Sequence, residues 1–522
     1  MRLFDFLDYR AREQADAEFA IQGDRRITYR EALDATNRLA NALIGAGLQI
    51  GDRIGILSKN NIEYVLLYFA AAKAGVVPVP LNYRLAPGEW RYILNDASAK
   101  LLIAAGDYPQ VVDPIRDELT TVERFMAVDS PLVTGWDDYR GWVANQPATP
   151  PDRVITADHD LYQMYTSGTT GYPKGAVLTH AAVVAHLTQI GFGLEIQPRE
   201  RVLLVAPVFH TAAANAGAFP CVYAGGCLYI QADFNPVEVV RALSEAHIGL
   251  AILVPAMIQA CLTMVPNVAK RRYDHLRRIH YGASPIAEQT LRRAMEVFHC
   301  DFSQGYGMTE ATAGFTVLSP ADHRRALAEQ PGLLLSAGRA TVGTELRIVD
   351  SNDNPVPNGT IGEVIGRGPQ MMRGYWNQPE ATAEALRGGW LHTGDAGVID
   401  DEGYLYVQDR VKDMIVSGGE NIYPRVVEEV LFQHPAIADV AVIGVPDERW
   451  GETVKAIVVL RPGMTADAEE LMDFCRGKLG GFERPRSVDF IAALPRNPSG
   501  KMLKRVLREP YWVGHGRRVA GS

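Results

Sequence analysis

Cysteine is scarce in this chain. Its 522 residues include 5 cysteines, and no two of them stand in a Cys-x-x-Cys spacing. This scarcity argues against a disulfide scaffold and against a structural zinc site built from paired cysteines. Because the number is odd, at least one thiol cannot pair within the chain. The pattern therefore predicts free thiols in a reducing compartment.

Long apolar runs and a basic excess are also absent. The apolar stretch Tyr64–Ala72 ends at Lys73, which leaves it too short to span a bilayer. Charges throughout Met1–Arg10 leave no apolar core for a signal peptide. The 52 basic and 61 acidic residues give a net charge of −9, which disfavours a nucleic-acid surface. We expect a cytoplasmic enzyme with no transmembrane segment and no nucleic-acid partner.

The composition is that of a soluble globular protein with more than one domain. Apolar residues make up 47% and charged residues 22% of a chain too long for one core. Short β-rich runs such as Arg53–Leu57 alternate with helical patterns such as Glu63–Lys73, which predicts an α/β fold. Strands dominate after Gly338, and the pattern changes again near Asp409, where one strand–helix–strand set and a basic tail follow. We therefore predict an N-terminal domain of residues 1–410 and a C-terminal domain of residues 411–522.

The segment Tyr165–Gly175 concentrates groups that bind anions. It holds three glycines, four aliphatic hydroxyls and Lys174 within eleven residues. Backbone amides exposed by glycine, hydroxyl donors and a mobile ammonium suit the polyphosphate of a nucleotide. A Walker A loop is disfavoured, because a short strand rather than a helix follows Lys174-Gly175. The segment predicts a strand–loop–strand phosphate cradle; the alternative is a flexible surface turn.

Further polar motifs follow downstream in a fixed order. They are Gln304–Glu310, His392–Asp395 (read as a tight turn that presents a carboxylate), Asp409–Arg410, Ser417–Pro424 (read as a glycine turn before a helix) and Pro495–Lys501. Each motif alone is a weak signal, because turns, strand kinks and solvated lysines have the same composition. Their joint occurrence in this order gives them weight.

In this order the motifs resemble the adenylate-forming superfamily of acyl-CoA synthetases, luciferase-like enzymes and peptide-synthetase adenylation domains. The resemblance covers nearly the whole chain, from Ile27 to Lys501, and includes Gly362–Gly368, Gly374–Glu380 and Tyr281–Pro285. It implies an α/β multidomain fold: a large N-terminal domain of α/β subdomains with a β-barrel-like piece, and a small mobile α+β C-terminal domain. It also implies ATP, Mg²⁺ and coenzyme A as the cofactors.

The resemblance implies a reaction in two halves and assigns its residues. A carboxylate attacks the α-phosphorus of ATP to give acyl-AMP, and a thiol then displaces AMP. Lys501 would meet the carboxylate and α-phosphate, Glu310 would hold Mg²⁺, Thr309 would lie near the α-phosphate, and His210 would gate the acyl site. A satisfied core histidine is the alternative for His210. Residues implied to bind the nucleotide are Thr166, Ser167, Gly168, Thr169, Thr170, Lys174, Gly282, Ala283, Ser284, Gln304, Gly305, Tyr306, Gly307, Asp395 and Arg410.

The second half-reaction is implied to need a domain rotation. Its hinge would be Lys412, and the rotation would withdraw Lys501 from the acid. A pantetheine tunnel would then receive the glycine turn that contains Ser417, Gly418, Gly419 and Glu420. Such a lid keeps water from the acyl adenylate before the thiol arrives.

The expected acyl pocket carries no charged side chain that would select a dicarboxylic acid or an amino acid. Its segments would be His210–Ala214, Tyr281–Ser284, Gly305–Gly307 and the residues near Ala313. They lack a cation for a second carboxylate and an acid for an ammonium, so dicarboxylates and amino acids are disfavoured. A fatty acid is favoured over an aryl or cinnamic-type acid, because of the likeness in the Tyr281–Pro285 stretch.

Three functions remain open from the sequence. They are an acyl-CoA ligase, an acyl-AMP ligase that delivers to a carrier protein, and a catalytically inactive nucleotide-binding protein on the same fold. The last is weakened because Lys174, Glu310, Asp395, Arg410 and Lys501 are all present. The second is weakened because residues 338–366 carry no extra insertion. A homodimer is expected only from the resemblance to the family.

Overall fold

The computed structural model describes residues 1–130, 133–166, 173–284, 286, 288–410, 413–418, 420–496 and 502–513. Its strands, in chain order, are β1 Glu18–Gln22, β2 Arg25–Thr28, β3 Arg53–Leu57, β4 Val77–Pro80, β5 Ala99–Ala105, β6 Arg124–Val128, β7 Asp137–Asp138, β8 Asp160–Thr166, β9 Lys174–Thr179, β10 Arg201–Leu204, β11 Cys227–Ile230, β12 Ile248–Leu253, β13 Arg278–Gly282, β14 Asp301–Tyr306, β15 Thr316–Leu318, β16 Arg339–Ala340, β17 Glu345–Val349, β18 Gly362–Arg367, β19 Gly374–Tyr375, β20 Leu391–Ile399, β21 Leu405–Arg410, β22 Ile415–Ser417, β23 Glu420–Ile422, β24 Ile437–Asp447, β25 Gly451–Leu460 and β26 Ser487–Phe490.

Helices connect most of these strands. They are α1 Leu3–Glu13, α2 Tyr29–Gly45, α3 Ile62–Ala74, α4 Pro87–Asp96, α5 Tyr108–Val112, α6 Tyr139–Ala144, α7 His180–Leu194, α8 Thr211–Ala213, α9 Phe219–Ala224, α10 Pro236–Glu245, α11 Pro255–Met264, α12 Glu288–Phe298, α13 Pro320–Ala328, α14 Pro379–Ala385, α15 Pro424–Phe432, α16 Ala468–Phe474 and α17 Lys504–Trp512. A π-helical turn, Ala214–Ala218, joins α8 to α9.

The chain divides into two compact units. The first comprises residues 1–285, 290–345 and 366–391, and the second comprises residues 286–289, 346–365 and 392–522. The domain boundary expected between residues 410 and 411 stays a prediction, and residues 411 and 412 lie outside the described part of the chain.

A nine-stranded sheet forms the largest layer of the first unit. Its order is β16-β15-β14-β13-β12-β10-β11-β1-β2. The strands from β14 to β1 pair in parallel, and the pairs at both edges are antiparallel. Parallel strands carry their carboxyl ends to the same edge, where α/β proteins place their ligands. The sheet therefore brings the segments that follow β10, β13 and β14 to one edge.

Two smaller sheets complete the strands of the first unit. One is parallel, in the order β4-β3-β5-β6-β7, and the other is antiparallel, in the order β19-β9-β8. Buried parallel strands need apolar residues on both faces, and all five residues of β3 are buried. These sheets confirm the α/β expectation for the N-terminal part of the chain.

Helix α7 shows how local sequence sets an element of the site. The Thr179 hydroxyl accepts a hydrogen bond from the Ala182 amide at 3.2 Å and caps its first turn. Its sequence is apolar on most faces, and nine of its fifteen residues are buried. A helix of this kind belongs in a core rather than on a surface. Helix α7 packs there against the π-helical turn and α9.

The second unit holds two sheets. Most of the sheet β17-β18-β20-β21 lies in it, and the other sheet runs β23-β22-β25-β24 with β26 beside β25. The long hairpin of β24 and β25 supplies much of the apolar core beneath α15 and α16, including Val440, Val442, Val454 and Val458. The single strand–helix–strand set expected beyond residue 410 was therefore wrong, because this part of the chain also holds the hairpin β22–β23, α16, β26 and α17.

Most strand and helix predictions are confirmed. The expected strand at Arg53–Leu57 corresponds to β3, and the expected helix at Glu63–Lys73 corresponds to α3. The tight turn expected at His392–Asp395 was wrong. These residues lie inside strand β20, where Gly394 takes a φ of +67° that bends the strand locally. Within the described part of the chain, no helix has the length and apolar character needed to cross a bilayer.

Candidate active site

The phosphate cradle predicted from Tyr165–Gly175 begins and ends in paired strands. Strand β8 pairs antiparallel with β9, and Thr166 stands opposite Lys174. This confirms the strands predicted at the two ends of the segment. Position 175 favours glycine for a steric reason, because a Cβ there would lie 2.5 Å from the Gln163 amide nitrogen. The predicted phosphate ligands Ser167, Gly168, Thr169 and Thr170 lie outside the described residues.

Glu310 is a buried carboxylate held by two hydroxyls. It lies on a short 3₁₀ turn after β14, and it is 4% exposed. Its Oε1 accepts hydrogen bonds from the Tyr375 hydroxyl at 2.7 Å and from Thr166 Oγ1 at 3.4 Å. The ammonium of Lys174 lies 5.2 Å from the centre of the same Tyr375 ring. Tyr375 thus contacts both the predicted metal ligand and the predicted phosphate ligand.

The edge of the nine-stranded sheet collects the other predicted residues of the first unit. Gly282 ends β13 and stands in register with Gly305 of β14. A Cβ on Gly282 would lie 2.4 Å from the Gly305 carbonyl oxygen, so this close approach needs glycine. His210 follows β10 at the same edge. The predicted residues Ala283, Ser284, Gln304, Tyr306 and Gly307 continue these strand ends and are partly or fully exposed.

Three residues at this edge adopt a left-handed backbone conformation. Ala283, Thr312 and Ala313 have φ values of +66°, +55° and +91°. Side chains with a Cβ rarely adopt this left-handed region, and a β-branched residue such as Thr312 is the least suited to it. Strain of this kind persists where surrounding contacts hold it, and it is typical of functional sites.

A buried polar network holds the strained loop in place. Thr312 Oγ1 donates to the Gln370 carbonyl, and the Asn215 amide donates to the Thr312 carbonyl at 3.2 Å. The Gln370 side chain donates to Thr344 Oγ1 at 2.7 Å and accepts from the Gln189 amide at 3.0 Å. These contacts tie the loop to α7 and to the π-helical turn. None of the four partners was predicted from the sequence, because isolated polar residues on apolar elements give no motif.

Thr309 connects the edge of the nine-stranded sheet to α8, the helix that follows His210. It is 9% exposed, and its hydroxyl lies 3.4 Å from the hydroxyl of Thr211. His210 itself caps α8, because its Nδ1 accepts from the Ala212 amide at 3.3 Å. The structure therefore places His210, Thr309 and Glu310 on neighbouring segments of the same unit.

Burial lowers the pKa of two histidines of this region, His186 and His280. Burial lowers the pKa of His186 to about 4, although the nearby backbone of Asn215 opposes the shift. Burial and the charge of Arg278 lower the pKa of His280 to about 3. The ring of His280 lies against Gly305, and its Nδ1 is 2.9 Å from Ser303 Oγ. The inner surface of this edge thus carries polar but uncharged imidazoles.

The predicted ribose ligand Asp395 lies in the second unit. It is 7% exposed and stands opposite Arg410 in the register of β20 and β21. Its strand is fixed to β18, because Glu363 accepts hydrogen bonds from the Gly394 amide at 2.9 Å and from His392 Nδ1 at 3.0 Å. Thr393 Oγ1 donates to the Val364 carbonyl at 2.6 Å and accepts from the Asp395 amide at 3.0 Å.

The predicted pantetheine residues lie on the hairpin of β22 and β23. Ser417 pairs with Glu420 in this hairpin. Gly418 has a φ of +60°, and a Cβ there would lie 2.7 Å from the indole of Trp450. Its amide also donates to the Trp450 carbonyl at 2.8 Å. Gly419, Lys412 and Lys501 lie outside the described residues.

This fold and site define an adenylate-forming enzyme, and comparison with known proteins agrees. The profile of the AMP-binding enzyme family matches residues 7–376, and that of the AMP-binding enzyme C-terminal domain matches residues 426–501. The chain belongs to the AMP-binding enzyme family.

Relatives of similar length have acid ligase activities. A feruloyl-CoA synthase of Amycolatopsis is 38% identical over 502 residues, which cover 96% of this chain and 97% of the relative. A fatty acid–[acyl-carrier-protein] ligase of Streptomyces coeruleorubidus is 37% identical, with 95% and 93% covered. A long-chain-fatty-acid–CoA ligase of Mycobacterium tuberculosis is 37% identical, with 94% of each chain covered.

Solved structures with a similar fold belong to the same class of acid ligases. A fatty acyl CoA synthetase of Mycobacterium tuberculosis has a TM-score of 0.78 at 34% identity and covers 99% of both chains. An anthranilate CoA ligase in complex with anthranoyl-AMP has a TM-score of 0.89 at 27% identity and covers 98% of both chains. The protein is an AMP-forming acid–CoA ligase that works through an acyl adenylate.

Proposed function

We propose that this ligase activates a monocarboxylic acid whose tail carries no charge. The supporting observation is the neutrality of the buried histidines at the sheet edge, His186 and His280. A second carboxylate on the substrate would need a cation beside it, since burying an unpaired charge is costly. Arg278 donates instead to the carbonyl oxygens of Gly193 and Leu194, at 2.6 and 2.9 Å.

Both a fatty acid and an aryl acid satisfy this proposal. The names of the relatives include a feruloyl-CoA synthase and a long-chain-fatty-acid–CoA ligase at nearly equal identity. The fatty acid favoured by the sequence stays a prediction, with an aryl or cinnamic-type acid as the alternative.

In the first half-reaction, the protein has to bring the substrate carboxylate next to the polyphosphate of ATP, although both are negatively charged. We assign Lys174 to the β- and γ-phosphates, Thr309 to the α-phosphate region and Lys501 to the developing charge at the α-phosphorus. Asp395 and Arg410 are assigned to the ribose, and Tyr306 to the adenine face. Each assignment is carried over from the family motif and is a proposal for this chain.

Mg²⁺ suits the surroundings of Glu310. Magnesium is usually held by one or two carboxylates together with substrate phosphates. Glu310 offers one such carboxylate, fixed by the hydroxyls of Tyr375 and Thr166, and Lys174 adjoins the same tyrosine. When bound there, the ion would neutralise phosphate charge as the pyrophosphate leaves.

In the second half-reaction, the acceptor is proposed to be coenzyme A. The hairpin with Ser417, Gly418, Gly419 and Glu420 would pass the pantetheine arm, with Lys412 as the hinge. A carrier protein is the second candidate acceptor, favoured by the name of the Streptomyces coeruleorubidus relative. The cytoplasmic location and the homodimer stay predictions.

The test is direct product analysis. Purified protein receives ATP, Mg²⁺ and a panel of aliphatic, aryl, dicarboxylic and amino acids, with coenzyme A, with a phosphopantetheinylated carrier protein, or with neither. Mass spectrometry then reads AMP, acyl-AMP and thioester. We expect acyl-CoA from uncharged monocarboxylates, none from Glu310→Gln, and normal yield from the exposed control Glu329→Gln. Preference for a dicarboxylate or an amino acid would overturn the proposal, and transfer only to the carrier would replace coenzyme A as acceptor.

A further inference from the structure

Helix α4 contacts both ends of the predicted phosphate cradle. The hydroxyl of Tyr165, near the end of β8, donates a hydrogen bond to the carboxylate of Asp96, the last residue of the helix. One turn earlier in the helix, the hydroxyl of Tyr92 donates to the carbonyl oxygen of Pro173 at 3.3 Å. Residues four positions apart lie on the same face of a helix, so one element reaches the two ends together.

The two contacted residues directly precede two residues predicted to bind the nucleotide. Tyr165 precedes Thr166, and Pro173 precedes Lys174. Thr166 and Lys174 stand opposite each other in the register of β8 and β9. A shift of either strand end would therefore displace the Thr166 hydroxyl or the Lys174 ammonium. Such a shift matters, because misplacing a group that positions substrate by about 1 Å can cost roughly a hundredfold in rate.

The Tyr165 hydroxyl has a partner for its proton and a partner for a lone pair. It donates to Asp96 and accepts from the Gln163 side-chain amide at 3.1 Å. Gln163 is fully buried, and its side-chain oxygen accepts in turn from Arg53 Nε at 3.2 Å. Burial and the Asp96 carboxylate raise the pKa of Tyr165 well above its ordinary value, so the hydroxyl stays protonated and remains a donor. A hydrogen bond to a carboxylate is stronger than one between neutral groups, which makes the bond to Asp96 the strongest contact of this hydroxyl.

Trp376 connects the end of the same helix to strand β9. Its indole Nε1 donates to the Asp96 carbonyl at 3.1 Å, and its backbone amide donates to the Gly175 carbonyl at 2.8 Å. The guanidinium carbon of Arg53 lies 3.4 Å from the centre of the indole ring, a cation–π contact that stabilises the orientation of the ring. Asp96 therefore contacts β8 through its side chain and β9 through Trp376.

We propose that Asp96 and Tyr92 are positioning residues, which hold the ends of β8 and β9 so that the phosphate cradle meets the β- and γ-phosphates of ATP. The inference rests on the proposed function, which assigns Lys174 to those phosphates. In this role both residues act through the strand ends rather than on the reacting atoms. Their effect is therefore expected in each step that binds the β- and γ-phosphates, and in none after pyrophosphate has left.

Binding of two nucleotides tests this role without any acid substrate. Isothermal titration calorimetry measures the Kd of Mg·ATP and of AMP, which lacks the β- and γ-phosphates. We expect Asp96→Leu and Tyr165→Phe to raise the Kd of Mg·ATP roughly tenfold, because each removes a hydrogen bond to a charged group. The Kd of AMP should stay at the wild-type value.

The two half-reactions give a second measurement on the same variants. With the acid that gives most product in the panel described above, kcat/KM for Mg·ATP in adenylation should fall roughly ten- to a hundredfold in Asp96→Leu. Transfer from supplied acyl-AMP to coenzyme A should keep the wild-type rate, because acyl-AMP carries neither phosphate. A substitution that only unfolded the protein would lower both rates equally.

Matched variants separate the contacts. Asp96→Asn keeps an oxygen that accepts from Tyr165 and should recover most of the loss seen in Asp96→Leu. Tyr92→Phe removes a bond between neutral groups, so we expect a smaller rise in the Kd of Mg·ATP, roughly two- to tenfold. The control is Tyr29→Phe, since the Tyr29 hydroxyl is fully buried and donates to the Gly226 carbonyl at 2.7 Å. This variant should lower the Tm and leave both Kd values as they are.

The benchmark is Lys174→Gln, which changes an assigned phosphate ligand itself. Wild-type binding of Mg·ATP in Lys174→Gln would overturn the phosphate assignment, and the inference with it. Weak binding in Lys174→Gln together with wild-type binding in Asp96→Leu would overturn the inference alone. The inference also fails if Asp96→Leu raises the Kd of AMP as much as that of Mg·ATP, or loses both half-reactions equally.

Discussion

The phenolic hydroxyl of Tyr375 donates a 2.7 Å hydrogen bond to Glu310, and its ring lies 5.2 Å from the ammonium of Lys174. One side chain thereby fixes a buried anion and borders a cation at the predicted phosphate site. Sequence motifs separate these three residues by long stretches of chain. Their meeting depends on strand β19, which pairs with β9 and puts Tyr375 opposite Ala176.

Tyr375→Phe should weaken the metal site without removing the ring beside Lys174. A hydrogen bond to a charged group is worth about 1.5–3 kcal/mol, so we expect kcat/KM for Mg·ATP to fall about tenfold or more. The Mg²⁺ concentration for half-maximal activity should rise. The matched control is Tyr273→Phe, which removes a hydroxyl that donates to the Val268 carbonyl elsewhere in the unit. An unchanged Mg²⁺ dependence in Tyr375→Phe would contradict this role.

Lys501→Ala should separate the two half-reactions. The family resemblance places Lys501 at the acid and the α-phosphate only during adenylation, so acyl-AMP formation should fall by several orders of magnitude. Transfer from supplied acyl-AMP to coenzyme A should be nearly unchanged. Single-turnover assays of each half measure this directly, with the exposed Lys478→Ala as control. Equal losses in both halves would contradict domain alternation.

Glu363→Gln should weaken ATP binding through the bent segment of β20. Glu363 accepts from His392 Nδ1 and from the Gly394 amide, and these contacts precede Asp395 directly. Loosening them should raise the KM for ATP about three- to tenfold with a smaller change in kcat, because ribose binding serves ground and transition states alike. The loss should shrink with 2′-deoxy-ATP, which lacks one of the hydroxyls assigned to Asp395. An equal rise in KM with both nucleotides, or a comparable effect of the exposed Glu448→Gln, would argue against the positioning of Asp395 by Glu363.

Acid should destabilise the protein through its buried histidines. Burial lowers the pKa from 6.5 to about 3 for His180 and His280 and to about 4 for His186 and His323. Below pH 6.5 these imidazoles are protonated in the unfolded chain but stay neutral in the folded protein. The free energy of unfolding therefore falls as the pH is lowered, until the folded pKa values are reached. Each histidine contributes up to about 1.4 kcal/mol per pH unit in that window.

Thermal unfolding between pH 7 and pH 4 measures this effect. Replacing His323 by glutamine should flatten the fall in Tm, since one fewer imidazole then titrates on unfolding. Met264→Gln, which replaces an exposed residue that does not titrate, should leave the slope as it is. A slope that is insensitive to His323→Gln would show that other groups dominate the acid response.

Much of the fold was predictable because its signals are local. Buried parallel strands read as apolar runs, and the helices between them carry recognisable caps, as at Thr179 before α7. The second unit was harder to predict. Its short hairpin β22–β23 has only three residues in each strand, too few for a periodic pattern.

The sequence alone determined the chemistry of this protein. The glycines, hydroxyls and lysine of Tyr165–Gly175 suit a nucleotide polyphosphate, and the order of the motifs resembles that of adenylate-forming enzymes, which implies the ligase reaction. The tertiary structure decided what surrounds that chemistry. Tyr375 beside Glu310, and Gln370 beside Thr312 and Gln189, follow from strand pairing and helix packing between segments far apart in the chain. Such contacts leave no local pattern, because packing brings together residues that the sequence keeps separate.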